Sequence, residues 1–227
     1  LSMRDIVDTL IDPGAREERA FSNDKTFQMK KGDQLTVPLT KTKFIVGLGW
    51  TSRGEDMDLD ASATLLGTPN SDGVLHPIDI CYYNAKNRPG VYSKGDSRSG
   101  FWKGDDEQIV VDLLKVEPRI TAIAFSVTVY TYPRTFKDVT NSYVRIVDAR
   151  SKFEYARYTL DDKLTNNGFI FCMLVRSETT PDQWTLVTVG EECSTRFSNE
   201  VESVLWEGSG RGLKLENTTN GDCCVVS

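Results

Sequence analysis

Between residues 27 and 190 the chain is cut into about ten short runs rich in Val, Ile, Thr, Tyr and Phe, with no helical period between them. The runs fall at 34–39, 43–48, 58–66, 78–83, 108–113, 120–130, 142–148, 154–160, 168–176 and 183–189. Turn-forming residues separate most of them, as in Lys31-Gly32-Asp33, Pro69-Asn70-Ser71-Asp72-Gly73, Pro89-Gly90, Asn166-Asn167-Gly168 and Pro181-Asp182. Strands with no helical period between them favour an antiparallel arrangement over a parallel sheet. The pattern therefore predicts an all-β fold, an antiparallel β-sandwich of about ten strands.

The ends read differently. Met3, Ile6, Val7, Leu10 and Ile11 recur at helical spacing, and Asp12-Pro13-Gly14 stops that short helix. Residues 16–23 are polar and read as linker. Phe197, Val201, Val204 and Leu205 mark one face of a second short helix, which Gly208 to Gly212 ends. The expected organisation is an N-terminal extension at 1–26, a sandwich at 27–192, and a helix with a polar tail at 193–227.

Composition removes several function classes. Lys and Arg total 27 against 33 Asp and Glu, a net charge of −6, so no nucleic-acid partner is expected. No run of 18 apolar residues is present, so no spanning helix is expected. One histidine, His76, argues against a catalytic triad or a multi-histidine metal site, and beside Pro77 it reads as a loop residue. Five cysteines with no CxxC pair argue against a disulfide framework or zinc. Cys81 and Cys172 sit in apolar runs and read as inert core thiols. With no secretory signal in view, the expected compartment is cytoplasmic, and the sequon at Asn217 is discounted.

The acid excess is concentrated. Seven carboxylates fall in two windows, Glu55-Asp56-Met57-Asp58-Leu59-Asp60 and Gly104-Asp105-Asp106-Glu107. Strand alternation puts Asp58 and Asp60 on one face, roughly 7 Å apart. Two like charges so close need a counter-cation, or one keeps its proton. Calcium suits the donors, because it takes six to eight oxygens from carboxylates, carbonyls and water. Gly95-Asp96-Ser97-Arg98-Ser99-Gly100 and Gly104 supply backbone that can turn carbonyls inward. Solvated, self-capping turns account for acidic loops equally well. The EF-hand spacing is absent.

These windows also carry a family resemblance. Gly47-Leu48-Gly49-Trp50 and Asp58-Leu59-Asp60-Ala61-Ser62-Ala63 resemble the first signature of the TerD family of tellurite-resistance and stress proteins. Residues 95–100 with 104–107 resemble the second, and Asn141 to Asp148 with Glu154 and Ala156-Arg157-Tyr158 a third. The resemblance covers about residues 27–190. It implies a β-sandwich that binds calcium between the two acidic windows. Carried over by position, Asp58, Asp60, Asp96, Asp105 and Glu107 are side-chain ligands, Asp106 a further candidate, and Leu59, Gly100 and Gly104 carbonyl donors. Arg98 is expected to anchor its loop to a carboxylate. The chain departs from the family at Ser97 and Ser99, at Phe101-Trp102-Lys103, and at Glu191-Glu192-Cys193-Ser194.

The final residues, Cys224-Val225-Val226-Ser227, fit a C-a-a-X prenylation motif in a eukaryotic cell. One lipid holds a protein at a membrane only marginally, and Cys223 offers a second acceptor for palmitate. The reading is a non-enzymatic calcium-binding stress-response scaffold or sensor, offered to a protein partner and tethered to a cytosolic membrane face. A calcium-dependent phospholipid or small-ligand module is the alternative, with Phe101-Trp102-Lys103 as its contact. A metal-dependent hydrolase lacks both a tuned base and a phosphate-cradling loop.

Overall fold

Alternating apolar residues give each run one face to bury, and the structure, a computed structural model, buries them between two sheets. It describes residues 19–52, 57–68, 75–95, 104–160, 164–177, 179–180 and 182–194, except the side chain of Ser52. The strands are β1 (Phe27–Gln28), β2 (Gln34–Val37), β3 (Lys43–Ser52), β4 (Leu59–Leu66), β5 (Pro77–Cys81), β6 (Asn87–Arg88), β7 (Val91–Ser93), β8 (Glu107–Asp112), β9 (Ala122–Val129), β10 (Val139–Asp148), β11 (Glu154–Thr159), β12 (Gly168–Arg176) and β13 (Trp184–Cys193). The ten runs of the sequence all appear. Three very short strands, β1, β6 and β7, join them at the sheet margins, too brief to show an alternating pattern.

One sheet is ordered β1-β11-β10-β3-β8-β7-β6, the other β2-β13-β12-β9-β4-β5. All pairs between strands are antiparallel except β1 with β11. The shared core takes Phe44, Val46 and Leu48 of β3, Leu59 and Ala63 of β4, Phe125 of β9, Phe169 of β12 and Trp184 of β13. Phe21, within a stretch that reads as polar linker, is a core residue. It stacks on Tyr155 at 4.8 Å and meets Phe44 edge-on at 5.7 Å. Its lone aromatic ring among charges gives no periodic signal. Cys81 and Cys172 are buried, as expected, and burial pushes the Cys81 thiol up to about 11. Among the described residues no helix is long and apolar enough to cross a membrane.

The β10–β11 hairpin shows how a polar residue fixes register. The Asp148 carboxylate accepts the N–H groups of Arg150 (2.9 Å) and Ser151 (2.6 Å) and the Tyr155 hydroxyl. Burial works against its charge, but these donors outweigh burial and hold the carboxyl down at about 2. A depressed carboxylate contributes stability above its unfolded pKa and loses it as pH falls through the folded one. Asp148→Ala is expected to cost about 1–2 kcal/mol at neutral pH, from the loss of hydrogen bonds to a charged acceptor at the turn. Urea unfolding at stepped pH checks this: the wild type loses the increment between about pH 4 and 2, and the variant's curve is flatter there.

Candidate metal centre

The N-terminal half of β4 has one strand neighbour. Along β9 it pairs from Leu59 to Leu66, but β5 meets it only from Ala63 onward. A free strand edge leaves backbone N–H groups to satisfy. Glu107, the first residue of β8 in the opposite sheet, fills the gap, its Oε2 accepting the Ala61 N–H at 2.5 Å. This places the Glu107 carboxylate at the backbone that follows Asp60. Both are buried, Asp60 at 3% exposure and Glu107 at 4%.

Asp106 and Trp50 complete the mouth. The Asp106 N–H donates to the Leu48 carbonyl at 2.8 Å, and its Oδ2 accepts the Trp50 N–H at 3.1 Å. The Trp50 indole then donates to the Met57 carbonyl at 3.0 Å. One buried tryptophan thus ties the second acidic window to the first. Asp58 follows directly, its N–H bonded to the Thr131 hydroxyl (2.9 Å) and its carbonyl to the Tyr130 N–H (3.0 Å). Tyr130 and Tyr132 stand exposed beside it, Tyr132 at 80%. The structure therefore brings Asp58, Asp60, Asp106 and Glu107 to one end of the sandwich, with Leu59 among them. Gly104 turns the chain into the window at φ +124°, a conformation that favours glycine.

Asp105 lies elsewhere. It reads in the sequence as a ligand beside Glu107, but the two point to opposite sides of the sheet. Its carboxylate rests over Gly47, where an added Cβ would sit 2.2 Å from Oδ2. There Oδ1 accepts Arg145 Nε at 2.7 Å and Oδ2 accepts Gln108 Nε2 at 2.9 Å. Arg145 also reaches Glu154 (3.2 Å), which Arg157 holds through two bonds of 2.6 and 2.7 Å. The Arg157 guanidinium lies 4.0 Å from the centre of the Tyr143 ring, which covers Gly49. Burial works against the Glu154 charge, and the two guanidinium groups outweigh it and hold its pKa low. Burial, then the Asp105 charge, raises Tyr143.

This network explains Gly47-Leu48-Gly49-Trp50. Leu48 and Trp50 face the core. Gly47 and Gly49 face out and are bare so that Asp105 and Tyr143 can lie flat on the strand. The sequence signal was glycine inside a strand, which marks close approach by another group. Arg145 and Gln108 carried no such signal, since their partner comes from a distant segment.

Asp96, Gly100 and Arg98, expected at the site, lie outside the described residues, as do Phe101-Trp102-Lys103, Cys223 and Cys224. Among the described residues no cluster of three or more His, Cys, Asp or Glu is assembled as a metal cage. The donors at the mouth are nonetheless of one chemical kind. Carboxylates and carbonyls, with no His or Cys, fit a hard cation such as calcium and suit zinc or copper poorly.

The TerD domain family matches residues 26–201, well over half of the chain. The chain belongs to the TerD domain family. Tellurium resistance protein TerD of Serratia marcescens is 33% identical over 65% of this chain and 79% of its own length. General stress protein 16U of Bacillus subtilis (strain 168) is 35% identical over 60% of this chain and 75% of its own. The solved structure of SCO6318, a homologue of telluride resistance protein TerD from Streptomyces coelicolor A3(2), superposes with a TM-score of 0.59. That likeness covers 70% of this chain and 94% of the homologue at 17% identity, and it shows the shared fold. In this TerD domain the sandwich is thus the family scaffold.

Gly47→Ala tests the outer network. The new methyl displaces Asp105 from Arg145, at an expected cost of about 1–3 kcal/mol. In Asp105→Ala the obstruction is gone, so the double variant should lose at least about 0.5 kcal/mol less than the summed single losses. Urea unfolding of the four proteins measures it, and strict additivity would refute the contact.

Proposed function

We propose that this TerD domain is a non-enzymatic calcium-binding protein of the stress and tellurite responses for which its relatives are named. The observation that carries the reading is the burial of two carboxylates, Asp60 and Glu107, at the same end of the sandwich. Buried charges are paired or coordinate metals, because desolvation otherwise outweighs what they gain. Asp58, Asp60, Asp106 and Glu107 supply carboxylate oxygens, and the carbonyls of Leu59 and Gly104 are further donors. Asp96 and Gly100 of the neighbouring window complete the proposed set. Asp105 contributes indirectly, anchoring its window to β10 through Arg145. A bound cation ties the two acidic windows together and presents them as one surface to a protein partner.

Calorimetry with calcium on the wild type and on Asp58→Ala/Asp60→Ala tests the assignment. The wild type should bind and the variant should not; equal heats sink it. At about 100 times its dissociation constant, calcium adds ~2.7 kcal/mol. That raises Tm by about 5–10 °C in the wild type alone.

A second reading has its own support. Tyr130 and Tyr132 are exposed beside Asp58, as expected of a calcium-dependent phospholipid surface, where apolar rings enter the headgroups. Membrane residence has a separate proposed source, a lipid on Cys224 with Cys223 as second acceptor, where Ser227 is the free carboxyl end in a eukaryotic cell. Sedimentation with anionic vesicles separates the two. Tail tethering predicts that protein made in eukaryotic cells pellets with or without calcium and that Cys224→Ser releases it. Pelleting of unlipidated protein that requires calcium and is lost in Tyr132→Ala supports the phospholipid reading instead.

A further inference from the structure

Along β4, β9 and β12 both faces of the β2-β13-β12-β9-β4-β5 sheet are buried. Leu59, Ala61, Ala63 and Leu65 of β4 face the other sheet. Strand alternation sends Asp60, Ser62, Thr64 and Leu66 the opposite way, and all are buried too. A second apolar cluster shares this outer face, including Ala122, Ala124, Met173, Val175, Val187 and Cys193. Its centre is flat and small. Ser62 and Ser126 bond across it at 2.7 Å, flanked by alanines, and Met173 and Val187 rise to one side. Apart from Leu75, just before β5, every residue of this cluster comes from the sheet itself.

We infer that the segment 195–206 docks on the outer face of this sheet. Cys193, the last residue of β13, already belongs to the outer cluster. The chain that follows carries Phe197, Val201, Val204 and Leu205 at helical spacing, an apolar stripe that needs a partner. Ten helical residues span about 15 Å, the width of roughly three strands. The trough of Ser and Ala over β4 and β9 gives bulky side chains room to approach the sheet. The N-terminal segment is a poorer occupant. Ala20 bridges to Thr36 at the edge of β2, and Phe21 turns into the inner core.

The native thiols report on this in the full chain. Cys193 lies on the outer face at 6% exposure, and Cys172 lies in the inner core. Labelling with iodoacetamide, read by peptide mass spectrometry, should be at least about 10-fold faster at Cys193 in Val201→Asp/Leu205→Asp than in the wild type, with Cys172 still protected. An unchanged Cys193 rate with Cys172 protected overturns the inference, as does exposure of Cys193 by deletion of residues 1–18 instead. Should Cys172 also react, the variant has unfolded, and cross-linking decides. Val187→Cys is combined in turn with Val201→Cys, Val204→Cys and Leu205→Cys under mild oxidation. An intramolecular bridge in one pair supports docking. No bridge, or bridges between two copies only, overturns it.

Discussion

A carboxylate from one sheet closes the unpaired edge of a strand in the other. Glu107 of β8 accepts the N–H of Ala61 in β4, where β5 no longer runs alongside. The contact joins the sheets at one end and brings two acidic segments, far apart in sequence, to the same place. It also withdraws a charged group from water, which is costly unless a partner compensates. The proposed cation draws on that arrangement, since Asp60, which precedes Ala61, adds a second buried carboxylate at the same end of the sandwich.

The second acidic window is divided across a strand, and the division assigns its residues different tasks. Glu107 points between the sheets. Asp106 grips β3 on both sides of Gly49, through Leu48 and Trp50. Asp105 crosses to the outer face, where Arg145 neutralises it and Gly47 makes room. The alternating charges of Asp105, Arg145, Glu154 and Arg157 balance, so the outer network serves as a fastening and leaves the negative charge at the mouth.

Much of this was legible in the chain. Ten runs and their turns predicted the sandwich because alternation and turn chemistry are local properties. Phe21 escaped because a single ring in a charged stretch has no period. The acidic windows suggested a cation site, and Asp58, Asp60, Asp106 and Glu107 lie at one end of the sandwich. Asp105 did not sort with them by spacing, because the register of β8 and the turn before it against β3 decides which side each carboxylate takes.

By itself the sequence determined the fold class, the two acidic windows and the all-oxygen character of their donors, each a matter of residue type and short spacing. Only the tertiary structure decided that Glu107 reaches the edge of β4 at Ala61, that Asp105 belongs to Arg145, and that Gly47 and Gly49 are bare for the groups lying on them. It also decided that the polar face of β4 is as buried as the apolar one. Alternation sorts side chains between two faces, but whether a face meets water depends on what the rest of the chain lays over it.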